Sequence, residues 1–75
     1  MTRYKNLNGN SSVRYFEYGD DYITILFNSG DYYLYTANSV GWENLEEMIE
    51  LAEQGYGLGG YIQRHCRYDY EDHWR

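Results

Sequence analysis

The chain predicts an α+β domain: a three-stranded antiparallel β-meander packed against one amphipathic helix, with a short second helix towards the C-terminus. Three observations carry that expectation. Between residues 13 and 36 apolar and polar side chains alternate with a period of two, broken only at Gly19-Asp20-Asp21 and Asn28-Ser29-Gly30. From Trp42 the apolar spacing changes to three and four. At 75 residues there is room for one small core, so both patterns must face it.

Residues 1–10, with Asn6, Asn8, Gly9 and Asn10, read as a flexible polar arm outside the domain. A first strand runs from residue 12 or 13 to residue 18 and stops at Gly19-Asp20-Asp21, a tight-turn composition. Residues 22–27 and 32–36 form a hairpin whose loop, Asn28-Ser29-Gly30, offers Gly30 for the left-handed position of a bulged turn. That loop sets the register. With Phe27 opposite Asp31, Ile25 faces Tyr33 and Ile23 faces Tyr35, so these five apolar and aromatic side chains share a face while Tyr22, Tyr32 and Leu34 point the other way. Asn38 and Ser39 are candidate N-caps, and Trp42, Leu45, Met48 or Ile49, and Ala52 make the stripe of a helix lying on the sheet. A glycine-rich joint at 55–60 separates it from residues 61–68, which can form the second helix, and residues 69–75 are an acidic aromatic tail. The domain proper is 11–68.

The formal net charge is −6, and its distribution says more than its size. No Lys or Arg occurs from residue 15 to residue 63; the cations Arg3, Lys5, Arg14, Arg64, Arg67 and Arg75 all lie near the ends. The middle is therefore a negative surface that repels nucleic acid except at a local basic spot. On the helix, Glu43, Glu46, Glu47, Glu50 and Glu53 lack a cation three or four residues away and repel one another by a few tenths of a kcal/mol per pair, which makes that face a candidate partner-binding surface. There is no long apolar run, no secretory pattern and no Cys pair; Cys66 stands alone, so a cytoplasmic chain with no membrane association is expected. Eleven tyrosines exceed what a core of this size takes up, so some face partners, and the free edges of a three-stranded sheet offer a route to a homo-oligomer.

No catalytic constellation stands out. Ser11, Ser12, Ser29, Ser39 and Cys66 have no evident base beside them, and the carboxylates fall on turns and an exposed helix face, so the chain reads as non-enzymatic. His65, Cys66, Asp69 and His73 do not have zinc-site spacing, and neither a metal nor a cofactor is expected. Gly55, Gly57 and Gly60 match the dinucleotide-binding spacing but follow a helix instead of a strand, which makes them a hinge. Cations and aromatics interleave in a cluster at Tyr61, Arg64, His65, Arg67 and Tyr68, where guanidinium groups suit a phosphate and rings suit a base; Tyr32 adds an outward ring. The same two arginines can instead balance the acidic helix.

The pattern Ser11-Ser12-Val13, Phe16, Tyr18, Ile23, Ile25, Phe27, Gly30, Tyr33-Leu34-Tyr35, Val40, Ala52 and Gly60-Tyr-Ile-Gln-Arg-His-Cys-Arg67 resembles the KTSC family. That small domain occurs at the C-terminus of some lysyl-tRNA synthetases and alone in bacterial and phage proteins. The resemblance spans roughly residues 11–68 and implies a docking role towards nucleic acid or protein. This chain departs from it in a longer glycine joint, in Cys66 where an aliphatic is usual, and in a more uniformly acidic helix. The expected activity is a small binding module, of the phage or bacterial accessory kind, that holds a nucleotide or nucleic acid. The alternatives are an acidic, anti-defence type of inhibitor that imitates nucleic acid to block a nucleic-acid-binding protein, and a self-associating structural module.

Overall fold

Gly30 sits at φ +91°, the left-handed conformation the hairpin loop calls for. The loop closes through Gly30 N–H to Phe27 O and Phe27 N–H to Asp31 O, each 3.0 Å. In the computed structural model, which describes residues 1–75, this hairpin lies at the centre of an antiparallel sheet with strands in chain order: β1 (Thr2–Arg3), β2 (Val13–Tyr18), β3 (Tyr22–Phe27), β4 (Tyr32–Thr36) and β5 (Asp72–Trp74). Ile23 opposes Tyr35 and Ile25 opposes Tyr33, as the loop predicts. The α+β class and the three central strands agree with expectation; the sheet has five strands where three were expected.

The two added strands come from the terminal segments. β1 pairs Thr2 with Phe16 and Arg3 with Tyr15, and β5 pairs Tyr32 with Trp74, Tyr33 with His73 and Leu34 with Asp72. Unpaired N–H and C=O groups along β2 and β4 supply the template, and strands of two and three residues are too short to show any alternation in sequence. The long strands β2 and β4 are consequently covered in part, at Tyr15–Phe16 and Tyr32–Leu34.

Thr36, not Asn38 or Ser39, caps the first helix. Its hydroxyl accepts from Ser39 N–H at 3.1 Å while the Ser39 hydroxyl accepts from Thr36 N–H at 2.9 Å, a reciprocal capping box that starts the one-turn α1 (Ala37–Val40) directly off β4. Gly41 turns the chain into α2 (Trp42–Gln54). Leu45, Met48 and Ala52 are buried against Ile23, Ile25 and Tyr35, but Trp42 is 58% exposed; Val40 from α1 is the buried residue at that end. The second helix also begins earlier than expected: α3 (Leu58–Tyr61) starts inside the glycine joint and continues into a π-helical turn, Ile62–Cys66. Leu58, Ile62 and Cys66, four apart, are buried, and each side chain of Leu or Ile size so placed contributes about 1.5–3 kcal/mol.

The N-terminal segment completes the core. Tyr4 is 2% exposed, and its hydroxyl accepts a hydrogen bond from Leu58 N–H at 3.2 Å, satisfying an N–H that the first turn of α3 leaves free. Gly55, the α2 C-cap at φ +89°, accepts Leu7 N–H on its carbonyl at 2.8 Å. A Cβ at Gly55 would lie 2.6 Å from Lys5 Cβ. No helix is long and apolar enough to cross a membrane.

Gly9 shares the positive φ of Gly55 but has open space where a Cβ would go. Gly9→Ala is therefore expected to cost only the left-handed strain, about 1–2 kcal/mol, and Gly55→Ala more, because the arm must also move. Urea unfolding of both variants checks this; equal losses would show that the arm does not press on the α2 cap.

Candidate ligand-binding cleft

The helices cover the sheet only in part. On the core face of the hairpin, Ile23, Ile25 and Tyr35 are buried, but Phe27 and Tyr33, nearer the Gly30 loop, remain half-buried. The π turn and the residues after it approach this uncovered end and leave a cleft of about 430 Å³. Its walls are aromatic: Phe27 meets Tyr33 edge-on at 5.4 Å between centroids, Tyr70 meets Tyr33 edge-on at 4.9 Å, and Tyr35 and Tyr68 complete the lining. Tyr33 is held in place by His73, stacked on it at 4.3 Å and parallel to within 7°. The polar lining is Ser12, Ser29, Asp31, Gln63 and Arg67.

Asp31 ties the C-terminal strand to the hairpin loop. Its carboxylate accepts the Ser29 hydroxyl at 2.7 Å and Arg75 Nε at 2.8 Å, with His73 Nε2 at 3.3 Å, while the Arg75 guanidinium also donates to Ser29 O at 3.1 Å. The Ser29 hydroxyl first, then His73 and Arg75, hold the Asp31 carboxyl below its ordinary range, so it is an anion at the rim of the cleft. Further along, the Thr36 hydroxyl donates to Glu71 at 2.6 Å, a second fastening of the tail. Arg67, by contrast, has no carboxylate within ion-pair distance; its guanidinium lies 5.3 Å from the Tyr68 ring centroid.

The residues singled out in the sequence do not form one site. Arg67 and Tyr68 line the cleft. Tyr61 and His65 point elsewhere: their rings lie 4.5 Å apart, and the Tyr61 hydroxyl donates to Asn44 Oδ1 of α2 at 2.6 Å. Burial, reinforced by Cys66, Glu47 and Glu43, pushes the Tyr61 hydroxyl pKa up. Arg64 is exposed with its guanidinium beside Gly60, and Tyr32 lies on the far face of the sheet, stacked on Trp74 at 5.6 Å. Residues two apart on a helical turn diverge to opposite sides, which separates 61 and 65 from 63 and 67. Nor do Arg64 and Arg67 pair with the acidic helix: the ion pairs present are Met1 amino to Glu17, and His73 and Arg75 to Asp31. Glu43, Glu46, Glu47, Glu50 and Glu53 all stand exposed and without a cation partner.

Against protein-family models, curated proteins and solved structures, this chain gives no match. The chemistry is therefore read from the cleft itself. Cys66 is fully buried and its thiol pKa is raised by burial, which suits a packing residue and not a nucleophile. His65, Cys66, Asp69 and His73 are not gathered into a metal-holding cluster. Phe27, Asp31, Tyr33 and Tyr70 were not singled out as ligand contacts in the sequence. For Tyr70 the available signal was an aromatic tail beside an unpaired β4; for Tyr33 it was a core-face position beyond the reach of the helix.

Asp31, with its carboxyl pKa lowered in the folded state, stabilises the fold above the ordinary carboxylate range of about pH 4, and that contribution is lost as pH falls through the lowered value. Asp31→Asn should be less stable than wild type near neutrality, and the two stabilities should converge on acidification. Urea midpoints across a pH series test this; a constant gap would show that the charge of Asp31 is immaterial.

Proposed function

We propose that the protein is a non-catalytic binding module that holds a nucleotide in the aromatic cleft. The observation that carries this reading is the pairing of an aromatic-walled cleft of about 430 Å³ with Arg67, a guanidinium free of any carboxylate partner. A base stacks against the aromatic wall, the Gln63 amide and the Asp31 carboxylate supply acceptors and donors at the rim, and Arg67 takes the phosphate. Rings pre-packed by Tyr33–His73 and Tyr33–Tyr70 contacts lose little freedom when a ligand arrives. The resemblance to KTSC domains, with its implied docking role in bacterial and phage proteins, is in keeping with this reading.

Titration with purine and pyrimidine mononucleotides, followed by calorimetry, tests it. Arg67→Ala should weaken binding tenfold or more, because a hydrogen bond to a charged group is worth about 1.5–3 kcal/mol. Tyr68→Ala should have a loss of similar size through stacking, about 1–3 kcal/mol, and Arg64→Ala, outside the cleft, should have none. Absence of saturable binding to any nucleotide would overturn the proposal.

A second reading rests on α2. Five exposed carboxylates without cations lie along about 15 Å of helix, with exposed Trp42 at its start, and this surface suits an inhibitor that imitates a phosphate backbone and docks on a nucleic-acid-binding protein. Replacing Glu46, Glu47 and Glu50 by Lys should then abolish capture of such a partner while mononucleotide affinity stays unchanged. Undiminished capture by the charge-reversed protein would remove this reading.

A further inference from the structure

Half of the Lys and Arg residues of this acidic chain converge at a second place, whose lining adjoins that of the cleft at Ser11–Ser12 and Phe27–Asn28. Arg3, Lys5 and Arg14 line a pocket of about 320 Å³ with Tyr15, Asn6 and Asn28, and no carboxylate takes part in the lining. None of the three has an ion-pair partner. The cause is a β-bulge between Val13 and Tyr15: the register shift inserts Arg14 as an extra residue, and its guanidinium carbon lies 5.9 Å from the Tyr15 ring centroid.

Tyr15 begins a row that crosses the whole sheet. Arg3 opposes Tyr15, Tyr15 opposes Leu26, Leu26 opposes Tyr32 and Tyr32 opposes Trp74, so five directly opposed side chains share the face away from the helices. Four strand spacings make this row about 19 Å long. Tyr32 and Trp74 lie parallel to within 2°, and Trp74 is 41% exposed. The core residues of α2 and α3 pack on the other face, against Ile23, Ile25 and Tyr35.

We infer that this open face is a second binding surface, for single-stranded nucleic acid: the Arg3, Lys5 and Arg14 pocket holds phosphate, and unpaired bases lie along Tyr15, Leu26, Tyr32 and Trp74. Charge complementarity selects the occupant. A pocket of three unpaired cations beside ring faces takes a polyanion with exposed base planes, whereas a duplex hides those planes in its stack. The acidic α2, on the opposite side of the sheet, repels the same polyanion and so leaves this face as the favoured approach. Glu17 and Asp72, in the adjacent cross-strand row, confine the strand to the row that starts at Arg3.

The test uses a short fluorescein-labelled oligodeoxythymidine and fluorescence anisotropy over a range of salt concentrations. With three phosphate contacts, log affinity should fall against log salt with a slope of about −2, and each alanine at Arg3, Lys5 or Arg14 should reduce that slope by about 0.7. Trp74→Ala should weaken binding about tenfold. Because that change touches β5, Tyr15→Ala serves as the second variant, with circular dichroism confirming the fold. The triple Arg3→Ala, Lys5→Ala, Arg14→Ala protein should lose the oligonucleotide, and its mononucleotide titration separates this surface from the cleft, since the oligonucleotide result stands whether or not a mononucleotide binds. No binding at low salt, a slope unchanged in the triple variant, or equal affinity for duplex of the same length would overturn the inference.

Discussion

The hairpin register is the constraint on which the remainder depends. Because side chains alternate with a period of two, a slip of one residue between β3 and β4 would exchange the two faces of the sheet completely. With Gly30 in the left-handed conformation the slip is prevented, and Ile23, Ile25 and Tyr35 become the floor on which Leu45, Met48, Leu58 and Cys66 pack. The same register sends Tyr33 to the cleft and Tyr32 to the open face. Two adjacent tyrosines thereby serve two separate surfaces.

Both surfaces lean on the ends of the chain. The cleft needs Tyr70 and the knot of Asp31 with His73 and Arg75; the open row needs Arg3 at one edge and Trp74 at the other. These edge strands are two and three residues long, held by few ladder bonds and by exposed ion pairs, so they belong to the part of the fold that opens most readily. The buried Tyr4, bonded to Leu58 across 54 residues of sequence, is the exception that anchors the N-terminal side. The elements proposed for recognition are thus attached to the core without being part of it.

Charge is segregated across the sheet. The carboxylates of α2 crowd one side with no internal neutralisation, while Arg3, Lys5 and Arg14 gather at the β1–β2 edge and Arg67 stands at the cleft. In sequence this pattern is visible only as cations near the ends. Folding turns a linear asymmetry into a spatial one: Arg3 and Arg14 stand at the bulged edge of the sheet, and of the three cations there only Lys5 packs against the α2 C-cap at Gly55.

The alternation over residues 13–36 and the helical spacing after Trp42 are local, and they were sufficient to predict β2, β3, β4, α2 and the pairing of Ile23 with Tyr35. The glycine joint was legible as a helix end, though not the start of α3 within it, because Leu58 is helical through its burial and the bond from its N–H to Tyr4. The edge strands, the Thr36 cap and the division of Tyr61, Arg64, His65, Arg67 and Tyr68 among different surroundings were not legible. The edge strands depend on groups distant in sequence, with Arg14 O receiving Tyr4 N–H and Leu34 O receiving Glu71 N–H; the Thr36 cap is a local box with Ser39, and the π turn directs alternate side chains to opposite sides. Sequence alone determined the period and register of the central elements, since these follow from neighbours along the chain and from one loop. Only the tertiary structure decided which aromatics and cations meet, since a cleft or a charged pocket exists where segments far apart in the chain close on one another.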